Sequence, residues 1–106
     1  MTTEIRLEAD SIGTMEVPAE AYYGVQALRA KQNFPITGTK LHPVFIKNLA
    51  QVKKAAAITN NNAGLLPKDK ADAIVRACDE VIAGKWAEEF IVDAIQGGAG
   101  TSANMN

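Results

Sequence analysis

The residues with the clearest capacity for chemistry are the last ten, Gly97-Gly98-Ala99-Gly100-Thr101-Ser102-Ala103-Asn104-Met105-Asn106. Three glycines in four positions oppose both helix and packed strand, because glycine gives up the most backbone freedom on ordering. They allow a tight turn and a close approach of backbone to a ligand. Thr101, Ser102, Asn104 and Asn106 follow at once, short side chains that donate and accept hydrogen bonds without carrying charge. A Gly-rich turn running into Thr-Ser reads as the capped start of a helix, whose unpaired N–H groups favour an anion. The same pattern also fits a helix cap with no ligand. Ending within this motif, the chain reads as part of something longer.

Other candidate groups point elsewhere. Arg29 could pair with a carboxylate on two of its nitrogens, although a salt bridge is the favoured reading. Asp10, Glu89 and Asp93 could each orient a neighbour, as solvated or capping carboxylates. His42 precedes Pro43 at a helix start and reads as a cap. Cys78 lies on an apolar stripe and reads as a small buried hydrophobe. Tyr22, Tyr23, Phe34, Phe45, Trp86 and Phe90 read as core or interface fillers. One His and one Cys cannot assemble a zinc site, so no metal is expected, and no phosphate loop with its lysine is present.

These residues must be held by a small framework. At 106 residues one domain is expected, spanning 1–106. Eleven basic and twelve acidic residues give a net charge of −1, which offers no bulk attraction to nucleic acid or an anionic membrane. The apolar runs are far too short for a membrane span, the first residues show no signal-peptide pattern, and a lone cysteine fits a reducing compartment, so a cytoplasmic location is expected.

Ile5, Leu7 and Ala9 alternate with polar residues, as do Met15 and Val17, around the turn Asp10-Ser11-Ile12-Gly13, which predicts a β-hairpin. Pro18, Glu20 and the run from Ala21 to Lys31 predict a helix starting near Pro18, somewhat weakened by Gly24. Pro35 to Thr39 reads as a loop. A helix is expected from His42-Pro43 to about Asn62, with Phe45, Leu49, Val52 and Ala56 as its apolar stripe and Gly64 as a left-handed cap. Pro67 opens a third helix carrying Ala71, Ile74, Val75, Cys78, Val81 and Ile82, and the two make an αα-hairpin. Phe90 to Gln96 reads as extended and delivers the glycines. The expected class is mainly α with a small β-hairpin.

Three stretches together resemble the N-terminal region of the aspartate ammonia-lyases, within the aspartase/fumarase superfamily. They are Arg6 to Gly13 with Val17-Pro18-Ala19, Tyr22 to Ala30, and Phe90 to Asn106. The resemblance implies a mostly helical homotetrameric enzyme with active sites shared between subunits, which interconverts L-aspartate with fumarate and ammonia without an organic cofactor. It further implies a serine base on a mobile downstream loop that this chain does not contain, so no catalytic residue is assigned here and the chain alone is expected to be inactive. Thr101 matches the threonine that holds a substrate carboxylate in that family, with Ser102 and Asn104 beside it. Fumarases usually carry a serine where this chain has Ala99, which favours ammonia over water as the leaving group. Ala94 and Ala103 depart from residues common among aspartases. A non-catalytic helical interaction domain is the alternative of another class.

Overall fold

The computed structural model describes residues 4–106. The chain forms two compact units, one built from the residues up to Leu41 together with Glu88–Asn106, the other from His42–Ala87.

In the first unit, β1 (Ile5–Ala9) and β2 (Thr14–Pro18) pair antiparallel, with Ile5 opposite Pro18 and Leu7 opposite Glu16. Their turn is closed by Asp10, whose carboxylate accepts the amides of Ile12 at 2.9 Å and Gly13 at 3.1 Å. Short aspartate side chains favour this local arrangement. Helix α1 covers Val25–Asn33, so it begins seven residues after the expected start at Pro18. Arg6 supplies the reason. Its guanidinium donates to the carbonyls of Pro18, Ala19, Ala21 and Tyr23 at 2.7–3.0 Å, and those oxygens are held facing one cation. Carbonyls converging on a point cannot all align along a helix axis.

Gly24 is the N-cap of α1, and Glu8 reaches across from the hairpin to accept the Val25 amide at 3.0 Å. A Cβ on Gly24 would lie 2.9 Å from that carboxylate oxygen, so the glycine makes room for the cap. The side chains of Val17 and Val92 are fully buried in this unit, with Val25, Ala27 and Ala103 also buried. The segment expected to be extended before the glycines forms no strand. Its β-type pairing is an isolated bridge, Lys40 with Asp93.

The second unit is the expected αα-hairpin of α2 (Pro43–Asn62) and α3 (Lys68–Ile82). His42 caps α2 through Nδ1, which accepts the Val44 amide at 3.0 Å. Gly64, at φ +76°, turns the chain after α2, as its sequence context predicts. The buried positions are Ala50 and Ala57 on α2 and Ala71 and Cys78 on α3, each pair seven residues apart. The expected stripe is different: Phe45 and Val52 are exposed, and Leu49 is half-buried. The buried positions on both helices are thus small side chains rather than bulky apolar ones. Cys78 is buried as expected, and burial pushes its thiol pKa up. Among the described residues no helix is long and apolar enough to cross a membrane.

Candidate functional site

A groove of about 400 Å³ runs through the first unit. One wall is the hairpin turn at Asp10, Ser11 and Ile12. A second is the face of α1 bearing Gln26, Arg29 and Asn33, and the third is the Gly-rich loop, including Ala99, Thr101 and Ser102. Thr101 and Ser102 open the short helix α4 (Thr101–Met105), whose N-cap is Gly100 at φ +79°. That left-handed backbone is natural to glycine and strained for any other residue. The sequence therefore folds locally as expected, as a Gly-rich turn opening directly into a helix.

Thr101 is exposed and Ser102 half-buried. Among the described residues no hydrogen bond engages either side-chain hydroxyl. Two neutral donors thus face the groove uncommitted. Asn104, the third predicted site residue, is exposed and does not line this groove; its amide nitrogen lies 3.9 Å from the sulfur of Met105.

Arg29 and Asp10 meet in the groove as a two-point ion pair, Nε to Oδ2 at 2.8 Å and Nη2 to Oδ1 at 2.9 Å. This is the salt bridge preferred from sequence, although it is largely sheltered, with the side chains 19% and 10% exposed. The Arg29 guanidinium, helped by the amides of Ile12 and Gly13, holds the Asp10 carboxyl at a pKa of about 2 against the opposing effect of burial. At neutral pH the pair has no net charge, so the groove presents polarity without a dominating field.

The loop is fixed by groups whose partners the sequence did not reveal. Asp93 is 6% exposed and accepts four hydrogen bonds. They come from the Thr37 amide and hydroxyl, the Gly38 amide and the Ile95 amide, all at 2.8–2.9 Å. These donors pull its pKa down to about 2. The Gln96 carboxamide donates to the Asp93 carbonyl at 2.9 Å and accepts the Ala103 amide at 2.8 Å. Asn106 accepts the amides of Ile91 and Val92 and donates to the Glu89 carbonyl. The available signal was a carboxamide on each side of the glycines; what it lacked was any hint of their backbone partners.

A family model described as lyase matches residues 13–106. The chain belongs to this lyase family. It is similar to the aspartate ammonia-lyase of a Bacillus species, with 58% identity over 106 residues, all of this chain and 23% of that protein. The backbone matches a solved structure from Brucella melitensis titled fumarate lyase:delta crystallin, at a TM-score of 0.93 and 48% identity over 96% of this chain and 24% of that one. It also matches a class II fumarase from Schistosoma mansoni, at a TM-score of 0.91 and 37% identity over 95% of this chain and 22% of that one. The mainly helical class with a small hairpin is therefore the one the family shares over this region. The chain spans roughly a quarter of the length of the relatives it matches.

Proposed function

We propose that this chain is the N-terminal part of a carbon–nitrogen lyase that converts L-aspartate reversibly to fumarate and ammonia, and that Thr101 and Ser102 hold one substrate carboxylate. The observation that carries the reading is the 58% identity to an aspartate ammonia-lyase along the entire chain. The two uncommitted hydroxyls in the groove give it a physical basis.

Deamination of aspartate begins with loss of a proton from the carbon beside the β-carboxylate. The electron pair left behind spreads into that carboxylate, which becomes doubly negative, and then returns to form the C=C bond as ammonia leaves. Hydrogen-bond donors fixed around the carboxylate stabilise the added charge as it appears, with no reorganisation at the moment of reaction. Neutral hydroxyls suit this role, since they favour the doubly charged form without gripping the singly charged substrate and product too tightly. The Asp10 carboxylate in the groove wall is tied to Arg29 and held at a pKa of about 2, which makes it a poor proton acceptor. On this reading the base and the remaining substrate contacts come from elsewhere in the full-length enzyme. The complete enzyme is read as a cytoplasmic homotetramer acting without an organic cofactor.

The test uses the full-length protein carrying this chain. It should form fumarate from L-aspartate, followed by ultraviolet absorbance, with far higher kcat/KM than it dehydrates L-malate. Thr101→Val keeps the shape and removes the donor; losing a hydrogen bond to a charged group costs roughly 1.5–3 kcal/mol. That predicts about a ten- to hundredfold fall in kcat/KM. A preference for malate would transfer the assignment to the fumarases, and a Thr101→Val enzyme equal to the wild type would leave Thr101 no more than the first residue of α4.

A further inference from the structure

Six residues, Gly97 to Ser102, lie between Gln96 and Ala103, and the two are joined across that span by the Gln96 side chain. Glycine-rich backbone has many alternative conformations, and ordering each such residue costs about 1–2 kcal/mol. Only one other hydrogen bond closes the loop from within, the Gly100 amide to the Gly97 carbonyl, at a long 3.2 Å. The Gln96 carboxamide is therefore the main cross-link. Its base is fixed as well, because the Asp93 carbonyl it grips belongs to a residue whose own carboxylate is tied to Thr37, Gly38 and Ile95.

We infer that Gln96 is a positioning residue: by bridging the Asp93 carbonyl and the Ala103 amide it locks the Gly-rich loop so that the Thr101 hydroxyl meets the substrate carboxylate. The inference rests on the carboxylate-holding reading of Thr101 given above. Polarity matters as much as reach. One partner only accepts and the other only donates, so a neutral carboxamide with its nitrogen toward Asp93 and its oxygen toward Ala103 satisfies both. A carboxylate of the same shape satisfies Ala103 and sets an oxygen against the Asp93 carbonyl. A protonated carboxyl group satisfies both again. Because the loop sets the place of a donor needed most when charge builds up, loosening it lowers kcat more than it raises KM.

The experiment measures aspartate deamination by the full-length protein and three variants. Gln96→Met keeps length and removes both hydrogen bonds; kcat/KM should fall about tenfold, mostly in kcat, at every pH. Gln96→Glu should show a similar deficit relative to wild type at alkaline pH, and that ratio should recover several-fold as the pH is lowered and the carboxyl takes up its proton. Recovery within one preparation cannot come from misfolded protein. Gln96→Met combined with Thr101→Val should be no slower than Thr101→Val alone, since residues acting through one contact are not additive. A flat Gln96→Glu ratio across pH would overturn the inference, as would multiplied effects in the double variant. Wild-type behaviour of Gln96→Met beside an impaired Thr101→Val would overturn it while leaving the Thr101 reading intact. An unimpaired Thr101→Val overturns that reading first, and the inference with it.

Discussion

Two alanine substitutions, two residues apart in the same loop, should have opposite signs. Gly100 is the N-cap of α4 at φ +79° and ψ 13°, and a Cβ built there meets no atom within 4 Å. Gly98 also has open space around its Cβ position, but its φ is not positive. Steric contact is thus absent at both, and only the backbone conformation differs. For an L-residue the left-handed region costs roughly 1–2 kcal/mol, which Gly100→Ala must absorb. At Gly98 alanine keeps an allowed conformation and removes freedom from the unfolded chain, a gain of about 0.4–1 kcal/mol. With a urea dependence of about 2 kcal/mol per molar, Gly100→Ala should lower the unfolding midpoint by roughly 0.5–1 M, and Gly98→Ala should raise it by a few tenths. In the full-length enzyme Gly100→Ala should also reduce kcat/KM, because relief of the strain requires Thr101 to move. Equal midpoint shifts for the two variants would refute the reasoning, since sterics at the two sites are alike.

Further expectations follow from the clamps that hold the first unit. The Asp93 carboxyl is depressed from 3.8 to about 2 in the folded state, so its stabilisation is complete above about pH 4 and is lost as pH falls toward 2; Asp10 acts in the same window. The melting temperature of wild type should therefore drop steeply between pH 4 and 2, while Asp93→Asn starts lower and varies less; a constant difference between the two across that range would refute the assignment. Gly24→Ala should push the Glu8 carboxylate off the Val25 amide and lower the melting temperature by roughly 3–8 °C, the effect of a lost helix cap in a chain of this size. In a Glu8→Ala background the same Gly24→Ala change should cost nothing further, and a full additional loss would show that the clash lies elsewhere.

The hairpin, the αα-hairpin and the Gly-rich turn into Thr101 were all readable in the sequence because each is signalled by residues close to one another. Asp10 beside Gly13 closes its own turn, and Gly64 stops the helix it follows. What misled was action at a distance. Pro18 reads as a helix start, and nothing between Pro18 and Gly24 shows that Arg6, on the opposite strand, holds that stretch open by its carbonyls. In α2 the periodicity of Phe45, Leu49, Val52 and Ala56 is real, but it does not say which face a partner will cover. Ala50 and Ala57 are the positions on α2 that the fold buries.

The same distinction governs the candidate site. Thr101 was legible because it sits inside a local motif, whereas the groups that place it act through backbone atoms that carry no sequence signature. The apolar core of the first unit is thin: among the described residues its fully buried large side chains are Val17 and Val92. Apolar contact is non-directional and would let a loop of glycines settle in many ways. Hydrogen bonds have required distances and angles, so a chain of them leaves far fewer arrangements. Asp93 fixes the segment before the glycines, Gln96 spans them, and Asn106 ties the end of α4 back to Glu89, Ile91 and Val92. Each of these side chains faces main-chain atoms, so shape-conserving changes such as Gln96→Glu or Asp93→Asn, which leave packing untouched, reverse a donor or an acceptor and should disturb Thr101 more than loss of a surface methyl group would. Precision in this loop therefore comes from polarity, and the residues that most deserve substitution lie beside the glycines, outside the motif that first draws attention.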